Sequence, residues 1–199
     1  MNKVMSLLLC ILACGSVMAE GNPTAGKSKS LICSGCHTHD GNSKNPKYPV
    51  LAEQGQAYMI KQLRDFKSGA RKESHMTPIV EAITLADVPD LAAYFSAQKR
   101  SPNAATPPTA TTGQQIFLNG KSDHTVESCS GCHGDDAKGN AALKFPSLAG
   151  QHADYIAKTL KEFRSGTRNN DQNALMREIA KGLNDQEIEA LAAYVGSLR

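Results

Sequence analysis

The pentapeptide Cys33-Ser34-Gly35-Cys36-His37 returns unchanged as Cys129-Ser130-Gly131-Cys132-His133 in the second half of the chain. Cys-x-x-Cys-His is the attachment signature of c-type haem, in which two thiols add to the vinyl groups of one porphyrin and the histidine ligates its iron. The other two cysteines, Cys10 and Cys14, lie in an apolar N-terminal stretch. No cysteine therefore remains for a structural disulfide, and the sequence predicts two covalently bound haem c groups.

Other uses of a Cys-x-x-Cys pair fit the sequence less well. A thioredoxin-like motif would join a strand to a helix, and no strand pattern surrounds either motif. A four-cysteine zinc site usually brings its pairs within about 15–20 residues of each other, whereas a much longer segment separates Cys36 from Cys129. Neither alternative explains a histidine directly after each pair, and the duplication argues against chance.

Residues 1–19 have the pattern of a secretory signal peptide. Lys3 gives a basic start, an apolar run follows, and Val17-Met18-Ala19 offers small residues at a cleavage site. The apolar run is too short for the ~20 residues that a membrane-spanning helix needs. The sequence therefore predicts a periplasmic protein whose mature chain begins at Glu20, with lipid attachment to Cys14 as the alternative.

A repeat extends beyond the haem motifs and predicts helices. Residues 58–71 align with residues 155–168, and half of the aligned positions are identical. In the first copy Met59, Leu63 and Phe66 follow the spacing of one helix face. Gly69 and Gly166 stand where a helix end favours a residue with positive φ.

A second repeated element predicts a C-terminal helix in each half. Residues 91–94 and 191–194 have the same sequence, Leu-Ala-Ala-Tyr. In the first copy the helix is expected to start near Asp87, with Pro89 in its first turn. In the second copy Asn184 and Glu187 have the spacing of a capping box.

These elements divide the chain into two all-α domains, residues 20–100 and 113–199, each with three main helices around a haem. The intervening residues 101–112 are rich in Pro, Ala and Thr and carry no charge, which is typical of a linker. A short helix from Gly113 to Gly120 is expected to open the second domain. Aromatic residues make up 5% of the chain and Trp is absent, so each small core depends on its haem for apolar surface.

The sixth iron ligand is predicted to be methionine in both domains. Met76 and Met176 align with each other just before the C-terminal helices, where a loop could pass the far face of the porphyrin. His75 is the main rival of Met76, but its counterpart is a leucine. Met59 lies on the helix stripe and is expected in the core. His39, His124 and His152 have no histidine counterparts, and surface positions are expected for them.

Residues 48–52 and 145–151, the Tyr…Leu…Phe-x-Ser-Gly helix and the late methionine resemble the dihaem cytochrome c4 family over the whole mature chain and in both halves. The resemblance implies two class I cytochrome c domains, each with His/Met ligation, packed about a pseudo-two-fold axis with the haems close together. It also implies that the carbonyls of Pro49 and Pro146 accept hydrogen bonds from Nδ1–H of His37 and His133. The segment from Arg71 to Met76 is shorter than its second-half counterpart and shorter than the family pattern.

The function expected from this resemblance is electron transport. A periplasmic carrier would take electrons from an upstream donor such as a bc-type complex and pass them to a terminal oxidase, with loose attachment to the outer face of the inner membrane. The alternatives are the cytochrome subunit of a dehydrogenase, such as flavocytochrome c sulfide dehydrogenase, and a dihaem peroxidase or thiosulfate-oxidising enzyme.

Charge excludes one class of partner. The chain has 22 basic and 19 acidic side chains, and the basic ones are scattered without aromatic interleaving, so nucleic acid is not expected as a partner. No small-molecule substrate is expected of an electron carrier. Arg71 and Arg168 each follow the glycine that ends a predicted helix. Pairing with haem propionates and simple solvation are equally consistent with these two positions.

Overall fold

The computed structural model describes residues 21–101 and 111–198, and over these ranges it contains helices and no strand. An isolated antiparallel bridge joins Asn140 to Phe145. The predicted signal peptide, both N-terminal cysteines and most of the predicted linker lie outside the described residues. No helix in the described ranges is both long and apolar enough to cross a membrane.

The two halves repeat the same order of helices. The first half contains α1 (Pro23–Lys29), a 3-10 turn (Ser30–Cys33), α2 (Ser34–His37), α3 (Gln56–Ser68), α4 (Met76–Glu81) and α5 (Val88–Ser96). The second half contains α6 (Thr112–Asn119), α7 (Ser130–His133), α8 (Ala153–Ser165), a 3-10 turn (Gln172–Ala174), α9 (Leu175–Lys181) and α10 (Asp185–Ser197).

The first helix of each half packs against the last helix at a glycine. A Cβ atom on Gly26 of α1 would lie 2.1 Å from the carbonyl oxygen of Asp90 in α5. The same atom on Gly113 of α6 would lie 2.0 Å from the carbonyl oxygen of Ala190 in α10. Since only glycine permits such close backbone approach, the two crossings fix equivalent frames for the two haem motifs.

Most of the predicted helix boundaries are confirmed. Gly69 and Gly166 both end their helices with φ of 77°, in the left-handed region. Pro89 lies in the first turn of α5. Asn184 and Glu187 form the predicted capping box at the start of α10. Helix α6 begins one residue earlier than expected, at Thr112.

The segments that carry the two methionines differ from the prediction, which placed them on loops. Met76 begins the short helix α4, and Met176 is the second residue of α9. A carboxylate compensates unpaired N–H groups near the start of each helix, because Glu73 accepts from Met76 N–H at 3.0 Å and Asp171 accepts from Arg177 N–H at 3.0 Å. The longer second-half segment contains the additional 3-10 turn before α9.

Each half has a core next to its haem motif. In the first half Phe66, Val80 and Leu91 are buried together, with Cys33 packed against them. In the second half Phe117 and Leu191 belong to a larger cluster that Cys129 contacts. Met59 is buried in a neighbouring first-half cluster, as expected for a core residue. The paired cysteines are therefore held on short helical turns against apolar walls.

Candidate haem sites

One continuous cavity passes through both halves of the described structure. Its walls include every predicted haem-binding residue: Cys33, Cys36, His37 and Met76 from the first half, and Cys129, Cys132, His133 and Met176 from the second. Apolar side chains from the two cores make up much of the remaining wall, for example Leu63, Val80, Leu160 and Leu191. The fold therefore brings together residues that are far apart in sequence, as two neighbouring porphyrin sites require.

The two histidines occupy equivalent, buried positions at the ends of α2 and α7. Nδ1 of His37 donates to the carbonyl of Pro49 at 2.9 Å, and Nδ1 of His133 donates to the carbonyl of Pro146 at 2.9 Å. These are the two hydrogen bonds that the resemblance implied. Burial lowers the pKa of both imidazoles, which favours their neutral form. Among the described residues neither Nε2 has a hydrogen-bond partner, so both nitrogens remain available to a metal.

The cysteines lie on helical turns, and the described residues contain neither the strand of a thioredoxin motif nor a cluster of three or more His, Cys, Asp or Glu side chains that could hold a metal ion. Burial raises the pKa of Cys33 and of Cys129 to about 11. The four thiols in the motifs form no disulfide. They are therefore placed beside the cavity for attachment to a porphyrin.

The methionines and His75 all reach the cavity wall. Met76 and Met176 are half-buried at equivalent positions, and Met76 packs against the first-half core. The side chain of His75 is 63% exposed, and its Nδ1 lies 3.2 Å from a carboxylate oxygen of Glu73. The exposure of His75 favours Met76 over its neighbour as an iron ligand, whereas a carboxylate contact at Nδ1 leaves Nε2 free and does not distinguish the two.

Arg71 and Arg168 are buried at the boundary between the halves, which disagrees with the solvated one of the two alternatives left open by the sequence. Arg71 donates to the hydroxyl of Tyr155 at 3.0 Å, and Arg168 donates to the hydroxyl of Tyr58 at 3.0 Å. Each guanidinium also lies 4.5 Å from the ring centre of the phenylalanine five residues earlier in the chain. Both arginines line the cavity.

The polar part of the cavity fits the carboxylates of a haem. Neither Arg71 nor Arg168 forms an ion pair with any described carboxylate, although a buried charge is costly without a counter-charge. Haem propionates would supply the missing negative charge.

Comparisons with known proteins agree with this geometry. The family model for cytochrome c matches residues 110–199. The chain is 43% identical to cytochrome c4 of Stutzerimonas stutzeri over the full length of both chains. It also superposes on the crystal structure of reduced recombinant cytochrome c4 from Pseudomonas stutzeri with a TM-score of 0.86 and 42% identity, over 90% of this chain and 100% of that one.

This chain belongs to the cytochrome c4 family. It is therefore an electron-transfer protein with two covalently bound haem c groups, and not an enzyme. A more distant relative is the thiosulfate dehydrogenase electron acceptor of Stutzerimonas stutzeri strain A1501, which is 35% identical over 89% of this chain and 81% of its own length. The predictions of fold class and cofactor are confirmed.

Several residues that shape this cytochrome c4 site escaped the sequence analysis. Gln54 and Gln151 are buried and bind the backbone of the opposite half. They could have been found, because each ends a Leu-Ala-x-Gln sequence that occurs in both halves. His39 and His124 are exposed as expected, but His152 is half-buried, with Nε2 2.9 Å from the carbonyl of Ser43 in the other half.

Proposed function

We propose that this protein carries electrons in the periplasm through two haems that are both ligated by histidine and methionine. His37 and Met76 would hold one iron, and His133 and Met176 the other. The observation that supports this most directly is that each half contributes one buried imidazole and one thioether to the lining of the same cavity. When bound, each haem supplies an iron that gains or loses one electron.

The protein's residues would let electron transfer proceed with little rearrangement of the iron ligands. The neutral imidazoles are fixed by their bonds to Pro49 and Pro146, so the ligands need little rearrangement between oxidation states. A thioether as second ligand raises the potential and leaves no open position for oxygen or peroxide. Arg71 and Arg168 would pair with propionates and anchor the polar edges of both haems at the boundary.

Methionine substitution tests the ligation. Met176→Ala should remove the sulfur-to-iron charge-transfer absorption of one haem and lower its potential, because sulfur favours ferrous iron. Met76→Ala should do the same for the other haem. Met59→Leu is the control, since Met59 is a core residue and its loss should leave both absorptions in place. An unchanged spectrum in Met76→Ala would show that another group, with His75 the first candidate, is the ligand.

The partners are proposed to be a bc-type complex or another donor on one side and a terminal oxidase on the other. The name of the relative at 35% identity favours a second candidate, acceptance of electrons from thiosulfate dehydrogenase. Stopped-flow mixing of the reduced protein with an oxidase, and of the oxidised protein with a reduced dehydrogenase, would separate the two. Fast oxidation by the oxidase without reduction by the dehydrogenase supports the first candidate, and the reverse supports the second.

The ends of the molecule are proposed to dock different redox proteins. Residues 20–106 carry 11 basic and 8 acidic side chains, whereas residues 107–199 carry 10 and 11. The first half also exposes Leu31, Ile32 and Leu85, and Ile32 lies at the cavity wall. The aligned residues of the second half are Glu127, Ser128 and Asp185. The second half exposes Leu143 and Leu175 at other positions, and both line the cavity. The first half therefore fits an acidic partner and the second a basic one, each with an apolar contact.

A further inference from the structure

Two buried glutamines cross the boundary between the halves in opposite directions. Oε1 of Gln54 accepts from Ser147 N–H at 2.9 Å, and its Nε2 donates to the Ser147 carbonyl at 2.9 Å. Oε1 of Gln151 accepts from Val50 N–H at 2.8 Å, and its Nε2 donates to the Val50 carbonyl at 2.9 Å. Only 6% of Gln54 and 4% of Gln151 is exposed, so water does not compete for these bonds. Each glutamine thus holds one residue of the other half by both backbone groups.

The N–H groups bound by the glutamines belong to the same peptide units whose carbonyls accept hydrogen bonds from the haem histidines. The Val50 N–H and the Pro49 carbonyl are the two polar groups of one peptide unit, and that carbonyl accepts from Nδ1 of His37. The second half has the same arrangement, with Ser147 N–H, the Pro146 carbonyl and Nδ1 of His133. An unbroken series of hydrogen bonds therefore runs from the glutamine of one half to the imidazole of the other.

Hydrogen bonds in such a series strengthen one another. An acceptor on the N–H of a peptide polarises its carbonyl, which then accepts more strongly. A stronger bond to Nδ1–H makes the imidazole a more basic ligand and fixes the plane of its ring. Greater basicity stabilises ferric iron relative to ferrous iron, so the glutamine would lower the potential of the haem in the opposite half.

Arg100 connects the two loops that contain the Pro49–Val50 and Pro146–Ser147 peptides. The Arg100 guanidinium donates to the carbonyl of Ala52 from Nη2 at 2.9 Å and from Nε at 3.1 Å. It also donates to the carbonyl of Ala149, which aligns with Ala52 in the repeat, and to Oγ of Ser147 at 3.3 Å. Arg100 therefore stabilises the backbone near Val50 and near Ser147 independently of the glutamines. We expect these loops to keep their conformation when one glutamine is replaced.

We propose that Gln54 and Gln151 are reciprocal positioning residues, through which each half of the molecule tunes the haem potential of the other. This rests on the proposed ligation by His37 and His133. The distinguishing feature is a crossed effect: Gln151 acts on the first haem and Gln54 on the second. A residue that only stabilises the boundary would affect both haems alike.

The test uses the complete dihaem protein and the variants Gln54→Leu and Gln151→Leu. Loss of the amide leaves the peptide N–H unpaired, weakens the carbonyl as an acceptor and should raise the potential. Gln151→Leu should shift the reduction equilibrium of the first haem about tenfold toward ferrous iron, with less than about a twofold change in the second. Gln54→Leu should give the mirror result. Spectroelectrochemical titration gives both potentials, and paramagnetic NMR of the ligand protons assigns each to its haem.

His152→Leu is the matched control, because it removes a bond across the same boundary one residue from Gln151 without touching the Pro49–Val50 peptide. It should change neither potential by more than about twofold. Equal shifts in both haems, shifts in the haem of the mutated half, or the same shift in His152→Leu would overturn the proposal. Should a leucine variant fail to fold, Gln54→Asn and Gln151→Asn shorten the amide by one methylene and must give the same crossed shift.

Failure of the underlying ligation has a separate readout. The hyperfine-shifted imidazole signals of His37 and His133 must be present in the unmodified protein if these residues bind iron. Their absence would reject the proposed ligation and, with it, the tuning through the imidazoles. Their presence without a crossed shift in the variants would reject the glutamine inference alone.

Discussion

Gln62 lies where the polar contacts of the two buried arginines converge. Its Oε1 accepts from Arg71 at 2.9 Å, from Arg168 at 3.1 Å and from Asn170 at 3.0 Å. Its repeat counterpart is Thr159, which cannot reach as far. The two guanidinium groups therefore share a single neutral acceptor, supplied by one half only.

Gln62→Leu should destabilise the protein by about 2–4 kcal/mol, because it leaves donors of two buried guanidinium groups unpaired. Thermal or denaturant unfolding of the haem-loaded protein measures this change. Gln186→Leu makes the same chemical change at an exposed position of α10 and should stay within about 0.5 kcal/mol. Similar losses in the two variants would show that the buried acceptor contributes nothing beyond the change in side-chain polarity.

At the scale of elements, the long helices α3 and α8 end in the same way. Gly69 and Gly166 both have φ of 77°, and a Cβ atom at either position would have no heavy atom within 4 Å. The requirement for glycine is therefore conformational and not steric. The cost of replacing glycine at these two positions can therefore be compared directly between the halves.

Gly69→Ala and Gly166→Ala should each destabilise the protein by about 1–2 kcal/mol and by nearly equal amounts, since alanine is strained at positive φ. Unfolding free energies from denaturant titration provide the measurement. Gly69→Asn and Gly166→Asn are the controls, because asparagine tolerates a positive φ better than alanine does. Losses in the asparagine variants as large as in the alanine variants would mean that helix-end conformation is not the cause.

For the whole molecule, the difference in charge between the halves predicts how it meets its partners. With two propionates for each half, the net charge is about +1 for residues 20–106 and about −3 for residues 107–199. Electron transfer to an acidic partner through the first half, and to a basic partner through the second, should slow as ionic strength rises. Second-order rate constants from stopped-flow mixing at several salt concentrations measure this.

A pair of exposed residues separates the two surfaces. Lys27→Gln removes a positive charge near the first haem motif and should slow only the reaction with the acidic partner. Glu127→Gln removes a negative charge beside the second motif and should slow only the reaction with the basic partner. Rates that do not depend on salt with any partner, or equal effects of both variants on both partners, would contradict the asymmetry.

Local patterns in the sequence determined much of this molecule. The paired thiols and adjacent histidine imply covalent haem, because that chemistry needs those groups within five residues. The internal repeat allowed prediction of the helical fold, of the helix ends at Gly69 and Gly166, and of the equivalence of Met76 and Met176. All of these depend on spacing within one turn or on identity between copies, which a linear sequence displays directly.

The tertiary structure alone decided how the halves meet. Nothing local in the sequence indicates that Arg71 is buried against Tyr155, or that Gln151 holds the peptide supporting His37. Such contacts join residues roughly a hundred positions apart, and they depend on the relative placement of two helical frames. A buried arginine and a solvated arginine look alike in sequence, because the difference between them lies in what the other half of the chain places around the charge.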